Sequence, residues 1–204
     1  MTGYVQVSLY DMIKELGSDR ENVKRIVSEF SCPLNKDVEN FLRHTAITFA
    51  EQGVANTHLV FASYKETPVL VGYYTLCLKT IRISRACVSS NLRRRLNKFA
   101  AANPDTGAMY IVSPLIAQLG KNYANEYNKL ISGDELLNMA LDRVREIQRI
   151  SSGKTVYVEC EDNPKLLEFY ESNGFVTFNK RILEKDETEV LNGQYLMQLL
   201  RYLD

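Results

Sequence analysis

The stretch Asn163-Pro-Lys-Leu-Leu-Glu-Phe-Tyr170-Glu-Ser-Asn-Gly174-Phe175 carries its own punctuation. Asn163 suits an N-cap, because its side-chain oxygen can take an orphan backbone N–H. Pro164 suits the first helical position, where no N–H is needed, and Gly174 suits the residue beyond the last turn. A short helix bracketed in this way is followed by an extended segment that opens at Phe175. Upstream, residues 154–161 alternate Val156 and Val158 with polar neighbours, as a strand does. Residues 132–150 place Leu136, Leu137, Ala140, Leu141, Val144 and Ile147 on one helical face, with Ser132 and Glu135 at capping-box spacing. With a strand at 109–119, the middle of the chain is a strand, helix, strand crossover from 109 to 161. A ligand site is expected at the carboxyl ends of such strands.

The N-terminal half completes the pattern. Residues 4–8 alternate as a short strand, and from Ser8 the period becomes helical, with Leu9, Met12, Ile13 and Leu16 on one face and Gly17 placed to stop it. Ser18 and Glu21 fit a second capping box, opening a helix that buries Val23, Ile26, Val27 and Phe30. A third helix is predicted over 35–52 from the stripe Val38, Phe41, Leu42, Ala46 and Phe49. Residues 58–64 and 69–78 are rich in Val, Leu, Phe and Tyr around Lys65, Glu66 and Thr67, which predicts an antiparallel hairpin. Two more strands are predicted at 175–183 and 195–203.

A chain of 204 residues with 45% hydrophobic content buries about 70% of its unfolded surface, so its core needs neither metal nor disulfides. With no linker, repeat or low-complexity segment, residues 1–204 read as a single domain. Cys32, Cys77, Cys87 and Cys160 form no C-x-x-C pair and only two histidines accompany them, so no metal site is expected and buried or incidental thiols are. No apolar run approaches the ~20 residues of a membrane span, and residues 1–10 lack a signal-peptide pattern. The expectation is therefore a cytoplasmic protein with no membrane partner.

The segment 163–175 resembles the fourth conserved helix and following strand of the GNAT superfamily of acyl-CoA N-acyltransferases. There an Asn lies seven residues before a Tyr and the helix ends in a Gly-Phe pair, and the element order read above is that family's order. The stretch Phe30-Ser-Cys-Pro-Leu-Asn35, the helix after it and Gly53-Val-Ala-Asn-Thr57 are similar, more loosely, to the toxin-like branch of the family. The resemblance implies an α+β (α/β-like) fold with a mixed, mostly antiparallel central sheet of six to seven strands flanked by helices. It also implies an enzyme that takes acetyl-CoA as acyl donor, without a metal, and acetylates a primary amine.

By the same resemblance Tyr170 is the proton donor to the departing CoA thiolate. A phenol of pKa about 10 is protonated at neutral pH and can reprotonate a thiolate whose conjugate acid lies near ~8.5. The oxyanion donor is a backbone N–H near Leu119. Leu119, Lys129, Leu130, Ile131, Ser132, Gly133, Asp134, Asn163 and Phe169 fall at the family's cofactor-contacting positions. Glu159 and Glu161 end the adjacent strand and are candidates for the base, which stays unassigned because strand-end carboxylates are usually surface groups. One departure stands out. The family's Arg/Gln-x-x-Gly-x-Gly/Ala pyrophosphate loop aligns with Asn128-Lys-Leu-Ile-Ser-Gly133, which keeps only the last Gly. Ile131 replaces a Gly, and Asp134 and Glu135 put two negative charges where backbone N–H groups and the helix dipole ordinarily receive phosphate. Either Lys121 and Lys129 compensate, or the 120–130 loop holds the phosphates another way, or the cofactor binds weakly.

Residues 67–104 contain no Asp or Glu but hold Lys79, Arg82, Arg85, Arg93, Arg94, Arg95 and Lys98, so the 25 to 25 charge balance conceals a remainder with net charge −7. The block reads as a basic helical insertion at about 79–104, with an amphipathic helix at 91–102. It could receive an RNA backbone, an acidic protein or the 3′-phosphate of CoA, or it is a solvated face. No aromatic residue lies within 89–98 to stack a base. Three functions stay open: an N-acetyltransferase on a small-molecule or macromolecular amine, a toxin-like transferase on aminoacyl-tRNA, and a catalytically degenerate GNAT-fold binding or regulatory protein. The oligomeric state stays open, a homodimer through sheet edges or the C-terminal strand being common among the proteins that the chain resembles.

Overall fold

The computed structural model describes residues 3–16, 20–183 and 194–203. The expected stop at Gly17 and the Ser18 cap lie outside the described residues. The elements run β1 (Val5–Ser8), α1 (Leu9–Leu16), α2 (Arg20–Ser28), α3 (Lys36–Asn40), a π-helical stretch (Phe41–Thr45), α4 (Ala46–Glu51), β2 (Asn56–Tyr64) and β3 (Thr67–Ile83). After a single 3-10 turn come α5 (Ser90–Leu96), β4 (Ala101–Ala102), β5 (Met109–Lys121) and a 3-10 segment (Ala124–Leu130). The chain then forms α6 (Gly133–Ser151), β6 (Thr155–Glu161), α7 (Pro164–Ser172), β7 (Val176–Ile182) and β8 (Tyr195–Tyr202). The fold is mixed α+β with a mostly antiparallel sheet, and eight strands are described rather than six to seven, β4 being only two residues long.

Two compact units divide the chain: Met1–Cys77 with Ile116–Asp142, and Leu78–Leu115 with Arg143–Asp204. In the first, β1 and β2 pair antiparallel, Val5 opposite Phe61, and β2 pairs with β3, Thr57 opposite Thr75. A bulge at Val60/Phe61 leaves Val71 out of register, and the freed Val71 carbonyl accepts the Asn122 N–H at 2.8 Å. Leu9, Val23, Val27, Phe30, Leu42 and Tyr73 form the core. Tyr73 stacks edge-on against Phe30 at 5.0 Å and donates its hydroxyl to the Val38 carbonyl at 2.6 Å, satisfying its one polar atom. Burial holds that phenol's pKa well above its ordinary value.

The helix expected over 35–52 is three pieces, because the ladder widens to i→i+5 over Phe41–Thr45 before regular helix resumes. Close approach explains two glycines. A Cβ at Gly72 would stand 2.9 Å from the Gly120 carbonyl, and one at Gly120 would collide with Val38 Cγ1. Any side chain at Gly120 therefore forces the Val38 side chain on α3 to shift.

In the second unit β6 pairs antiparallel with β8, Val158 opposite Leu199, and β8 pairs with β7, Val176 opposite Leu200. Val156, Val158, Leu199, Leu200, Phe175 and Phe178 are buried there. β3 extends to Ile83, five residues beyond the predicted strand, so Lys79 and Arg82 stand on strand rather than in an insertion loop. The expected helix at 91–102 stops at Leu96, and Ala101 and Ala102 pair with Tyr110 and Met109 instead. No helix among the described residues is long and apolar enough to cross a membrane.

Candidate active site

The loop between β5 and α6 begins at Asn122, which is buried and fully used. Its side-chain oxygen accepts the N–H groups of Ser31 (2.9 Å) and Ala124 (3.0 Å), and its amide donates to the Leu70 carbonyl (2.9 Å). These bonds fix the 30–35 turn against the end of β5. Gln118 on β5 also donates to Asp37 at 2.8 Å, one residue from Leu119, whose side chain is half-buried. A second carboxylate pins the same turn: Glu39 is buried, accepts the Cys32 N–H at 2.7 Å, and pairs with Lys36 (3.0 Å) and Arg43 (3.4 Å). The Cys32 N–H is the main reason that its pKa lies below the ordinary carboxylate value.

Beyond Asn122 the chain turns through Asn125 and Glu126, both at left-handed φ (50° and 61°), and reaches a cavity of about 580 Å³. Lys129, Leu130, Ile131 and Ser132 line it together with Tyr4, Lys121, Asn128 and Glu135. The Lys121 ammonium donates to the carbonyls of Asn128 (3.0 Å) and Ile131 (3.2 Å), while Lys129 pairs with Glu126. Ile131 needs no glycine conformation, since its φ of −144° is extended and its side chain is buried. The β-branched residue therefore packs where a Gly would have left backbone open.

The start of α6 is already occupied by a carboxylate. Glu135 Oε2 accepts the Ser132 N–H and hydroxyl, both at 2.8 Å, and the Glu135 N–H donates back to Ser132 Oγ at 3.1 Å. The expected capping box is thus formed. Its other oxygen accepts the Tyr4 hydroxyl (3.2 Å), which also reaches the Leu130 carbonyl (2.8 Å). The Ser132 bonds, backbone first, hold the Glu135 carboxyl below its ordinary pKa. Gly133 and Asp134 are the first two residues of α6.

In the second unit, Asn163 caps α7 by accepting the Lys165 N–H at 3.0 Å, with Pro164 at the first helical position. Gly174 takes a φ of 77° to leave the helix, and the Phe175 N–H returns to the Tyr170 carbonyl at 3.1 Å. Tyr170 is buried between Phe169 (ring centroids 5.1 Å) and Phe175 (5.6 Å). Burial, and next the Cys160 thiol beside it, raise its pKa, so the phenol stays protonated across the physiological range. No described residue hydrogen-bonds its hydroxyl. Cys160 is itself buried, its pKa pushed up to about 12 by desolvation, which makes it an inert thiol rather than a nucleophile.

Glu159 is committed elsewhere. Its Oε2 accepts from the Arg181 guanidinium at 2.9 Å and its Oε1 from the Gln198 amide at 2.7 Å, so a free base is not available there. The basic block behaves differently. Lys79, Arg82, Arg85, Arg93, Arg94 and Lys98 form no ion pair with any described residue. Arg95 lies 4.9 Å over the Tyr202 ring, which also meets Phe99 at 6.4 Å.

No protein-family model and no curated protein matches the sequence; the likeness is structural. A complex of AtaT with acetyl-methionyl-tRNAfMet superposes with a TM-score of 0.62 at 17% identity, over 96% of this chain and 94% of that one. A tyrosine-to-phenylalanine mutant of KacT gives 0.61 at 14% identity, over 98% and 95%. AtaTR bound with acetyl-CoA gives 0.56 at 16% identity, over 98% and 92%. The chain has the GNAT fold.

Within that fold, the candidate residues fall into two groups. Lys129, Leu130, Ile131 and Ser132 share one cavity wall, with Gly133 and Asp134 at the helix start beside them. Asn163, Phe169 and Tyr170 share α7. The sequence missed Tyr4 as a member of the first group, because its partners are 126 and 131 residues away. It also missed the Tyr202 ring against α5, for the same reason.

Proposed function

We propose that the chain is an acetyl-CoA-dependent N-acetyltransferase acting on a primary amine. The observation that carries this reading is the GNAT fold shared over more than 90% of both chains with AtaT complexes, among them one with acetyl-CoA and one with acetyl-methionyl-tRNAfMet. The amine nitrogen attacks the thioester carbonyl carbon, the C–N bond forms, and the tetrahedral oxyanion takes a hydrogen bond from the backbone N–H at Leu119. The C–S bond then breaks and the CoA sulfur takes the Tyr170 hydroxyl proton. A neutral phenol, whose hydroxyl bonds to no described residue, supports that role. The proton lost by the amine goes to water, since Glu159 is held by Arg181 and Gln198.

The diphosphate of acetyl-CoA fits the β5–α6 cavity through side chains more than through main chain. Lys121 and Lys129 line it, whereas the Ser132 N–H is held by Glu135. Binding thus works against a resident carboxylate, and Asn163 and Phe169 would meet the pantetheine side.

A second observation narrows the acceptor. Six cations of the 79–98 block form no ion pair with any described residue, a surface suited to a phosphate backbone, which favours aminoacyl-tRNA over a small amine. Release of free thiol from acetyl-CoA, measured across polyamines, a lysine peptide and aminoacyl-tRNA, tests both readings. Turnover with at least one amine is expected, highest with aminoacyl-tRNA. No turnover with any of them would favour a binding or regulatory protein.

A further inference from the structure

The first turn of α3 carries two carboxylates in different circumstances. Glu39 is buried and takes both neighbouring cations, Lys36 at 3.0 Å and Arg43 at 3.4 Å. Asp37, two residues earlier and half-buried, forms no ion pair with any described residue. The one hydrogen bond its side chain makes with a described residue comes from β5, where Gln118 Nε2 donates to Asp37 Oδ2 at 2.8 Å. Asp37 Oδ1 and Gln118 Oε1 accept nothing from any described residue.

Several contacts place this carboxylate. Asn35 caps α3 by accepting the Val38 N–H at 3.2 Å. The turn before it is tied to the end of β5 through Asn122 and through the Tyr123 N–H, which donates to the Ser31 carbonyl at 2.7 Å. Gly120 lies against Val38, and Gln118, two residues back, shares that face of β5. Burial first, and the Asp37 charge second, hold the Tyr73 phenol above its ordinary pKa, so the carboxylate also stands near that ring. Leu119, the proposed donor to the oxyanion, is the residue after Gln118. A half-buried negative charge without a counterion is costly, and a carboxylate needed only to complement the start of α3 would gain nothing by reaching to a strand.

We propose that Asp37, positioned by Gln118, receives the ammonium form of the acceptor amine and so selects cationic acceptors that carry no free carboxylate beside the nitrogen. This inference rests on the acetyltransferase reading above. An aliphatic amine is mostly protonated at neutral pH, and an ammonium has three N–H donors and no lone pair. Asp37 Oδ1 takes one of those donors in a charge-assisted bond. The nitrogen then gives one proton to water, keeps an N–H bond to Asp37, and attacks the thioester carbon with the lone pair so freed. Asp37 stays ionised throughout. A free α-amino acid brings its own carboxylate to the same place and is repelled, whereas an aminoacyl ester or a polyamine is not.

The site is tested in the full chain by NMR titration with ethylammonium chloride, without acetyl-CoA, following the Gln118 side-chain Nε2 resonances, and by steady-state kinetics. Asp37→Asn keeps the shape of the side chain and an acceptor for Gln118, and circular dichroism verifies its fold. Ethylammonium should shift the Gln118 resonances saturably in wild type, ethanol should not, and Asp37→Asn should abolish the shift. In thiol release, Asp37→Asn should raise KM for the best amine about tenfold and leave KM for acetyl-CoA unchanged. Wild type should acetylate an amino acid methyl ester in preference to the free amino acid. No saturable shift in wild type, the same shift in Asp37→Asn, an unchanged amine KM, or equal use of ester and free acid overturns the proposal. Turnover indifferent to Asp37 removes the cation site and leaves the acetyltransferase, whereas Asp37-dependent ammonium binding without turnover of any amine keeps the site and removes the acetyltransferase.

Discussion

Two helix starts in this chain use opposite capping chemistry. At α7 the neutral Asn163 accepts one N–H, and no acidic residue lies in the first turn. At α6, Glu135 places a full negative charge on the Ser132 N–H and hydroxyl, with Asp134 beside it. Orphan N–H groups and the helix dipole make any such terminus an anion site, and at α6 the chain supplies its own anion. On the proposed function, the difference separates a segment that would present a reactive side chain, Tyr170, from a loop that would bind phosphate only in competition with its own carboxylate.

The largest expected effect tests the α7 side. Tyr170→Phe should lower kcat for acetyl transfer by about 100-fold or more while leaving the Kd for acetyl-CoA within twofold. Unchanged turnover would take Tyr170 out of the chemistry. Next comes Glu39, the buried counterpart of Glu135. Glu39→Gln should cost about 2 kcal/mol in urea unfolding at pH 7, because the Cys32 N–H and two cations lose a charged partner. The folded pKa is depressed, so this contribution is fully present above the unfolded carboxylate pKa and is lost as pH falls through the folded value. The stability gap between wild type and variant should therefore close on acidification below about pH 4; a gap independent of pH would contradict the assignment.

At α6 the prediction has the opposite sign. Glu135→Gln keeps the shape of the capping box and removes its charge, so acetyl-CoA should bind about fivefold more tightly at low salt. Weaker binding would mean that the carboxylate orients the ligand rather than repels it. The smallest effect is Asn163→Ala, which should cost about 1 kcal/mol of stability and is read from chemical denaturation.

The α7 segment was legible because each of its signals is local: a cap, a proline, a terminal glycine and three aromatics within thirteen residues. The β5–α6 loop was legible only in part. Glu135 and Ser132 announced a capping box, but the Tyr4 hydroxyl and the extended Ile131 answer to contacts over more than a hundred residues and to burial, neither of which spacing reports. The π-helical stretch at Phe41–Thr45 stayed hidden because an apolar stripe does not distinguish i→i+4 from i→i+5 bonding. Similarly, the basic block was visible as charge but not as the strand end, short helix and Tyr202 contact that present it.

Calorimetric titration of the intact chain with acetyl-CoA bears most directly on whether a loop closed by its own glutamate still serves an acetyltransferase. A saturable one-to-one heat, accompanied by a rise in Tm with ligand concentration, is the predicted result. No heat and no stabilisation at large ligand excess would contradict it and leave a GNAT fold that does not take acetyl-CoA as a substrate.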